Sequence, residues 1–137
     1  MTRKEAREQA FEILFEQTIQ PKTAQEAFED AVEARDFVVK PFIATLVTGV
    51  ETNSEIIDTE IKKNLKGWSI TRISKITLAI LRLSVYEILF ETDIPVRVTI
   101  NEAVELGKVF GNKDDSSYIN GVLSTIEKTA VYGKVKE

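Results

Sequence analysis

The stretch Ile76-Thr77-Leu78-Ala79-Ile80-Leu81-Arg82-Leu83-Ser84-Val85-Tyr86-Glu87-Ile88-Leu89-Phe90 decides the fold. Eleven of its 15 residues are apolar, and it holds neither glycine nor proline. Its length suits a helix rather than a strand. A helix that is apolar on nearly all sides is buried on nearly all sides, so this segment reads as a central post. Ser74 can cap it, and it runs to about Glu91. Arg82 and Glu87 lie within it and need partners, because an unpaired buried charge costs several kcal/mol.

Working towards the N-terminus, Thr2 and Glu5 form a capping box, and so do Thr23 and Glu26. The first opens a helix from about Arg3 to Thr18, with Ala6, Ala10, Ile13 and Leu14 at helical spacing, ended by Pro21. The second opens a shorter helix, with Ala24, Ala27, Phe28, Ala31 and Val32 on one side, to about Ala34. Phe42, Leu46, Val50, Asn53, Ile57, Ile61 and Leu65 keep one face, which favours a single long helix from about Val38 to Leu65. A break near Thr52-Asn53-Ser54 is the alternative. Gly67 suits the turn that follows, and Trp68 to Arg72 connects to the post.

Towards the C-terminus, Asp93-Ile94-Pro95-Val96 is an extended turn. A fifth helix is expected from about Thr99 to Phe110, with Ile100, Ala103, Val104 and Val109 inward. Asp115 or Ser116 can cap a sixth, from about Ser117 to Ala130, with Ile119, Val122, Leu123 and Ile126 inward. Gly133 to Glu137 reads as frayed. The fold class is therefore all-α, two packed helical layers around the central helix, and 137 residues fit one domain spanning 1–137.

The chain has no cysteine and no histidine. That excludes disulfides, zinc sites with nitrogen or sulfur ligands, Cys or His nucleophiles and imidazole bases. No Walker loop, GxGxxG, HExxH or EF-hand loop is present, so no cofactor is expected and no catalytic residue is assigned. Asp114 and Asp115 alone are too few ligands to assign a metal. No membrane-spanning run or signal peptide is found, which together with the absence of cysteine points to the cytoplasm. The net charge is −4 and the pI about 5.1, so any grip on nucleic acid must be local.

Three local features stand out. Arg3, Lys4 and Arg7 occupy the first turns of a helix, where the macrodipole prefers anions by about 0.3–1 kcal/mol per charge. Local stability does not explain them. An anionic partner does, and a solvated face relieved by Glu5 and Glu8 is the alternative. Gly111-Asn112-Lys113-Asp114-Asp115-Ser116-Ser117-Tyr118 offers a turn, donors, acceptors and an aromatic, the mixture that reads single-stranded RNA. An ordinary interhelix loop is the alternative. Asn101 and Glu102 interrupt an apolar pattern and read as structural, with Glu102 mating Arg82 and with Asn101 and Asn120 bonding loop backbone.

Ile80-Leu81-Arg82-Leu83-Ser84-Val85-Tyr86-Glu87, then Asp93-Ile94-Pro95, Ile100-Asn101-Glu102-Ala103-Val104-Glu105-Leu106, Phe110-Gly111 and Tyr118-Ile119-Asn120-Gly121-Val122-Leu123 stand in an order and spacing similar to the NusB family of bacterial transcription antitermination factors. Ala6-Arg7-Glu8, Leu14-Phe15 and Gly67-Trp68 agree. The resemblance implies two three-helix bundles, binding to boxA-type single-stranded RNA, partnership with the NusE ribosomal protein and delivery to the elongating RNA polymerase. It implies one RNA face from Arg3, Lys4, Arg7, Asn112, Lys113, Asp114, Ser116, Ser117 and Tyr118, and a NusE face at Phe15 and Thr77. Glu5 interrupts the cation run, which implies greater reliance on NusE. Some members dimerise, so a homodimer is among the implied arrangements. A protein-interaction scaffold is one rival function. A relative of the NusB-like domain of RNA cytosine methyltransferases is the other, and it requires a catalytic cysteine that these residues lack.

Overall fold

The computed structural model describes residues 1–65, 67 and 69–129. Among these the chain forms α1 (Arg3–Ile19), α2 (Ala24–Arg35), α3 (Pro41–Thr52), α4 (Ser54–Lys63), α5 (Lys75–Phe90), α6 (Val96–Phe110) and α7 (Lys113–Thr129), and no strand. Trp68, the expected helix end at Ala130 and the stretch from Gly133 to Glu137 lie outside the described residues.

α5 is the central post. Ser74 accepts the Thr77 amide at 3.0 Å to start it, and it packs against α1, α3, α4, α6 and α7. Ile80, Leu81 and Ile88 are fully buried, each contributing about 1.5–3 kcal/mol relative to an exposed side chain. α1, α2 and α3 pack on one another as one three-helix group, and α5, α6 and α7 form the second, with α4 laid along α5. Tyr86 joins the two groups: its ring lies on the α3 backbone at Gly49, where any Cβ would overlap it.

Both N-terminal capping boxes form. Thr2 Oγ1 accepts the Glu5 amide at 3.1 Å, and Thr23 Oγ1 accepts the Glu26 amide at 3.1 Å. The reciprocal bonds from the Thr2 and Thr23 amides hold the Glu5 and Glu26 carboxyls below the usual carboxylate range.

Several boundaries differ from the sequence expectation, the start of the third helix at Pro41 rather than Val38 among them. The long third helix is two helices, broken at Asn53, whose side chain and main-chain N–H both bond to the Gly49 carbonyl at 2.9 and 3.0 Å. An asparagine that can bond its own preceding turn competes with helix continuation. α6 starts at Val96 rather than Thr99, because the Pro95 carbonyl already accepts the Val98 and Thr99 amides. α7 starts at Lys113 rather than Ser117, because Asn112 caps it.

Val109 and Val32, expected on inward faces, are 62% and 50% exposed. Leu106 and Gly107 take the inward positions near the end of α6. Ile119, Val122, Leu123 and Ile126 are buried as their spacing requires. No described helix is long and apolar enough to cross a membrane.

Candidate nucleic-acid interface

The cations at the start of α1 separate into three environments. Arg3 is half exposed; its guanidinium lies over the Phe42 ring at 4.3 Å and 3.9 Å from Asp93. Lys4 is exposed, makes no ion pair among the described residues, and lines a small depression with Arg7, Glu8, Glu102, Glu105, Leu106 and Val109. Arg7 is buried. Its Nε and Nη2 donate to the two Glu87 carboxylate oxygens at 2.8 and 3.1 Å, and Thr99 Oγ1 donates to the same carboxylate at 2.9 Å. The expectation of a phosphate-facing Arg7 is corrected: the side chain is 6% exposed and points inward.

The start of α7 is self-contained. Asn112 Oδ1 accepts the Asp115 amide and Asp115 returns the bond to the Asn112 amide, both at 2.9 Å. Asn112 therefore holds the turn. Gly111 allows it, since a Cβ there would meet the Asp115 carboxylate at 2.6 Å and the Gly107 carbonyl at 3.0 Å. Ser116 is buried and bonds the Lys113 carbonyl at 2.9 Å, which removes it from the base-reading set. Lys113, Asp114 and Ser117 are exposed and make no side-chain bond among the described residues. Tyr118 is partly buried, with its hydroxyl on the Leu65 carbonyl at 3.1 Å, and burial pushes its phenol pKa up. Its ring edges a cleft of about 260 Å³ with Arg72, Ile73, Asp114 and Asp115. Arg72 is a cation the sequence analysis missed, because in sequence it is merely part of a connector.

α5 sets the distance between the two starts. Thr77 Oγ1 bonds Asp115 at 3.3 Å near one end, and Glu87 holds Arg7 near the other. Ten residues of helix separate them, about 15 Å. The exposed side of α6, with Val109 and the Lys108–Glu105 pair, runs beside Lys4 towards Lys113.

The expected partner face is half altered. Phe15 is partly exposed and lines an apolar groove of about 450 Å³ with Phe11, Glu12, Glu16, Ile76 and Phe110. The groove's rim holds Arg35, paired bidentately with Glu16 at 2.8 and 3.1 Å. Glu12, on the same rim, has its carboxyl pushed up by desolvation. Thr77 is buried at 2% exposure, bonds Asp115 and borders the Tyr118 cleft rather than the Phe15 groove.

The expected pairing of Arg82 with Glu102 is also corrected. Arg82 is held by Asp58 of α4, with both bonds at 3.0 Å. Asn101 and Asn120 are exposed and Glu102 half-buried, and none makes a side-chain bond among the described residues. α6 and α7 cross so that these side chains border an open cleft, with Ser117 and Lys108, rather than the core.

A transcription antitermination protein NusB of Clostridium botulinum (strain Loch Maree) is 39% identical, covering 90% of this chain and 97% of that protein. The solved NusB of T. maritima superposes with a TM-score of 0.84 at 31% identity, over 93% of this chain and 92% of that one. An antitermination factor NusB solved with NusE and double-stranded RNA superposes with a TM-score of 0.83 at 29% identity, over 93% of this chain and 96% of that one. With the NusB family model also matching residues 4–128, the chain belongs to the NusB family.

Proposed function

We propose that this protein is a transcription antitermination factor that binds boxA-type RNA together with the NusE ribosomal protein and acts on elongating RNA polymerase. The observation that carries this is the likeness, over nearly the whole of both chains, to a relative solved with NusE and RNA. The protein works in the cytoplasm as a non-enzymatic adaptor, as one helical unit.

The RNA track has two ends. Lys4, with Arg3 beside it, meets phosphates at one end; Lys113 and Arg72 do so at the other. Asp114 offers a free acceptor to base edges there, in the cleft that Tyr118 shapes, and Ser117 offers its hydroxyl from the neighbouring α6–α7 cleft. The largely apolar groove at Phe15, edged by Glu12 and the Glu16–Arg35 pair, suits a protein segment with an apolar anchor, and NusE docks there.

Fluorescence anisotropy with labelled boxA-like RNA, single-stranded and duplex, with and without NusE, tests this. Tight binding that NusE strengthens is expected, with log K falling against log salt at a slope of about −3 for the four phosphate-facing cations on a single strand. NusE binding with no RNA enhancement would instead support a protein scaffold. Absence of binding to either RNA in every mixture would overturn the proposal.

A further inference from the structure

The Arg7–Glu87 pair is almost entirely buried, and Arg7 borders the same depression as Lys4. Its side chains are 6% and 1% exposed. Glu87 is on the last turn of α5, Thr99 on the first turn of α6 and Arg7 on the second turn of α1, so one carboxylate ties three helices together. Arg7 and Arg3 share the Phe42 ring, with guanidinium carbons 5.8 and 4.3 Å from its centroid. Arg3 then reaches Asp93 in the α5–α6 turn. The first turn of α1 carries Arg3 and Lys4 at the positive end of its dipole, which the helix field does not favour. The Thr2–Glu5 capping box closes that turn on itself, and the Arg7–Glu87 pair one turn later ties it to α5 and α6.

We infer that Arg7 and Glu87 are positioning residues for RNA binding: their bidentate pair, completed by Thr99, fixes the first turn of α1 so that Lys4 and Arg3 face the transcript. This rests on the RNA-binding function proposed above. The carried-over role of Arg7 as a direct phosphate contact is replaced by an indirect one.

Glu87→Gln separates the roles. Removing a carboxylate near the cations strengthens attraction for a polyanion if electrostatics alone acts. Positioning requires the opposite, since the amide cannot hold both guanidinium nitrogens. RNA affinity of the folded variant, measured at about 0.1 M salt, is expected to fall at least threefold with the salt slope unchanged. Arg7→Lys keeps the charge but loses the planar fork and is expected to show the same loss. A direct phosphate contact would instead tolerate Lys. Unchanged or tighter binding in Glu87→Gln, or wild-type affinity in Arg7→Lys, overturns the inference.

If Glu87→Gln does not fold, Thr99→Val weakens the same carboxylate's hold and is expected to lower affinity by about twofold, with unchanged binding overturning the inference. Hydrogen exchange is read in parallel without RNA, and the amides of residues 6–8 are expected to lose protection at least tenfold in Glu87→Gln. Failure of the wild-type protein to bind RNA would count against the proposed function. Unchanged protection in the variant would count against the positioning role.

Discussion

The two helix starts that carry the proposed RNA groups are built in opposite ways. α7 begins with acidic residues at its positive dipole end and closes its own turn through Asn112 and Asp115, three residues apart. α1 begins with cations at the same end of its dipole; it has a capping box, but its charges are settled by distant residues. Arg7 finds a carboxylate 80 positions away. Charge placed against the local field is therefore not by itself a sign of a surface ligand. It can equally be a tertiary anchor, and only Lys4 of the three is left with no partner among the described residues.

Breaking the tertiary anchor should have the largest effect. Glu87→Leu leaves the Arg7 guanidinium buried without a partner, and a loss of about 3–5 kcal/mol is expected in urea unfolding. Adding Arg7→Met should recover most of it, because an apolar pair of similar volume is often neutral at such sites. Failure to recover would mean that the pair does more for stability than shield two charges.

Breaking the local start should cost less. Asn112→Ala removes the cap acceptor of α7, with an expected loss of about 1 kcal/mol in the same measurement. A loss as large as that of Glu87→Leu would erase the contrast between the two starts.

Lys4→Ala should leave stability within about 0.5 kcal/mol, since the side chain is exposed and unpaired among the described residues. Its effect belongs in the RNA titration, where the salt slope should shrink by about 0.7, one phosphate on a single strand. An unchanged slope would move the phosphate contact elsewhere.

The smallest effect concerns pH. The Glu5 carboxyl is held below its usual range first by the Thr2 amide, then by the Thr2 hydroxyl. A depressed folded pKa stabilises above the ordinary carboxylate value, and that contribution is lost as pH falls through the folded value. Glu5→Gln should therefore melt slightly below the wild type near neutral pH, with the gap closing in acid below the ordinary glutamate range. A gap that grows in acid would contradict the sign.

Most of the helices were legible because their signals are local. Thr2 and Glu5, Thr23 and Glu26, and Ser74 mark helix starts within one turn of themselves. The apolar richness of Ile76 to Phe90 required a buried post whatever surrounded it. The break at Asn53 was written in the same local terms but was outweighed by a continuous apolar face. The cap at Asn112 was missed because Asp115 and Ser116 are equally capable N-cap types. The site was less legible: Arg72 carried no pattern, and Tyr118 announced an aromatic without showing that its hydroxyl would be spent on Leu65.

Sequence alone determined the helical class, the central helix, most of the inward faces and, through linked motifs, the family. It also required Arg82 and Glu87 to have partners. The tertiary structure decided which ones: Asp58 rather than Glu102 for Arg82, and Arg7 for Glu87. The reason is physical. Periodicity and capping act over three or four residues and can be read along a line, whereas an ion pair needs only two side chains within about 3 Å. With 22 carboxylates against 18 cations in the chain, composition leaves that choice open, and packing of α1, α5 and α6 makes it.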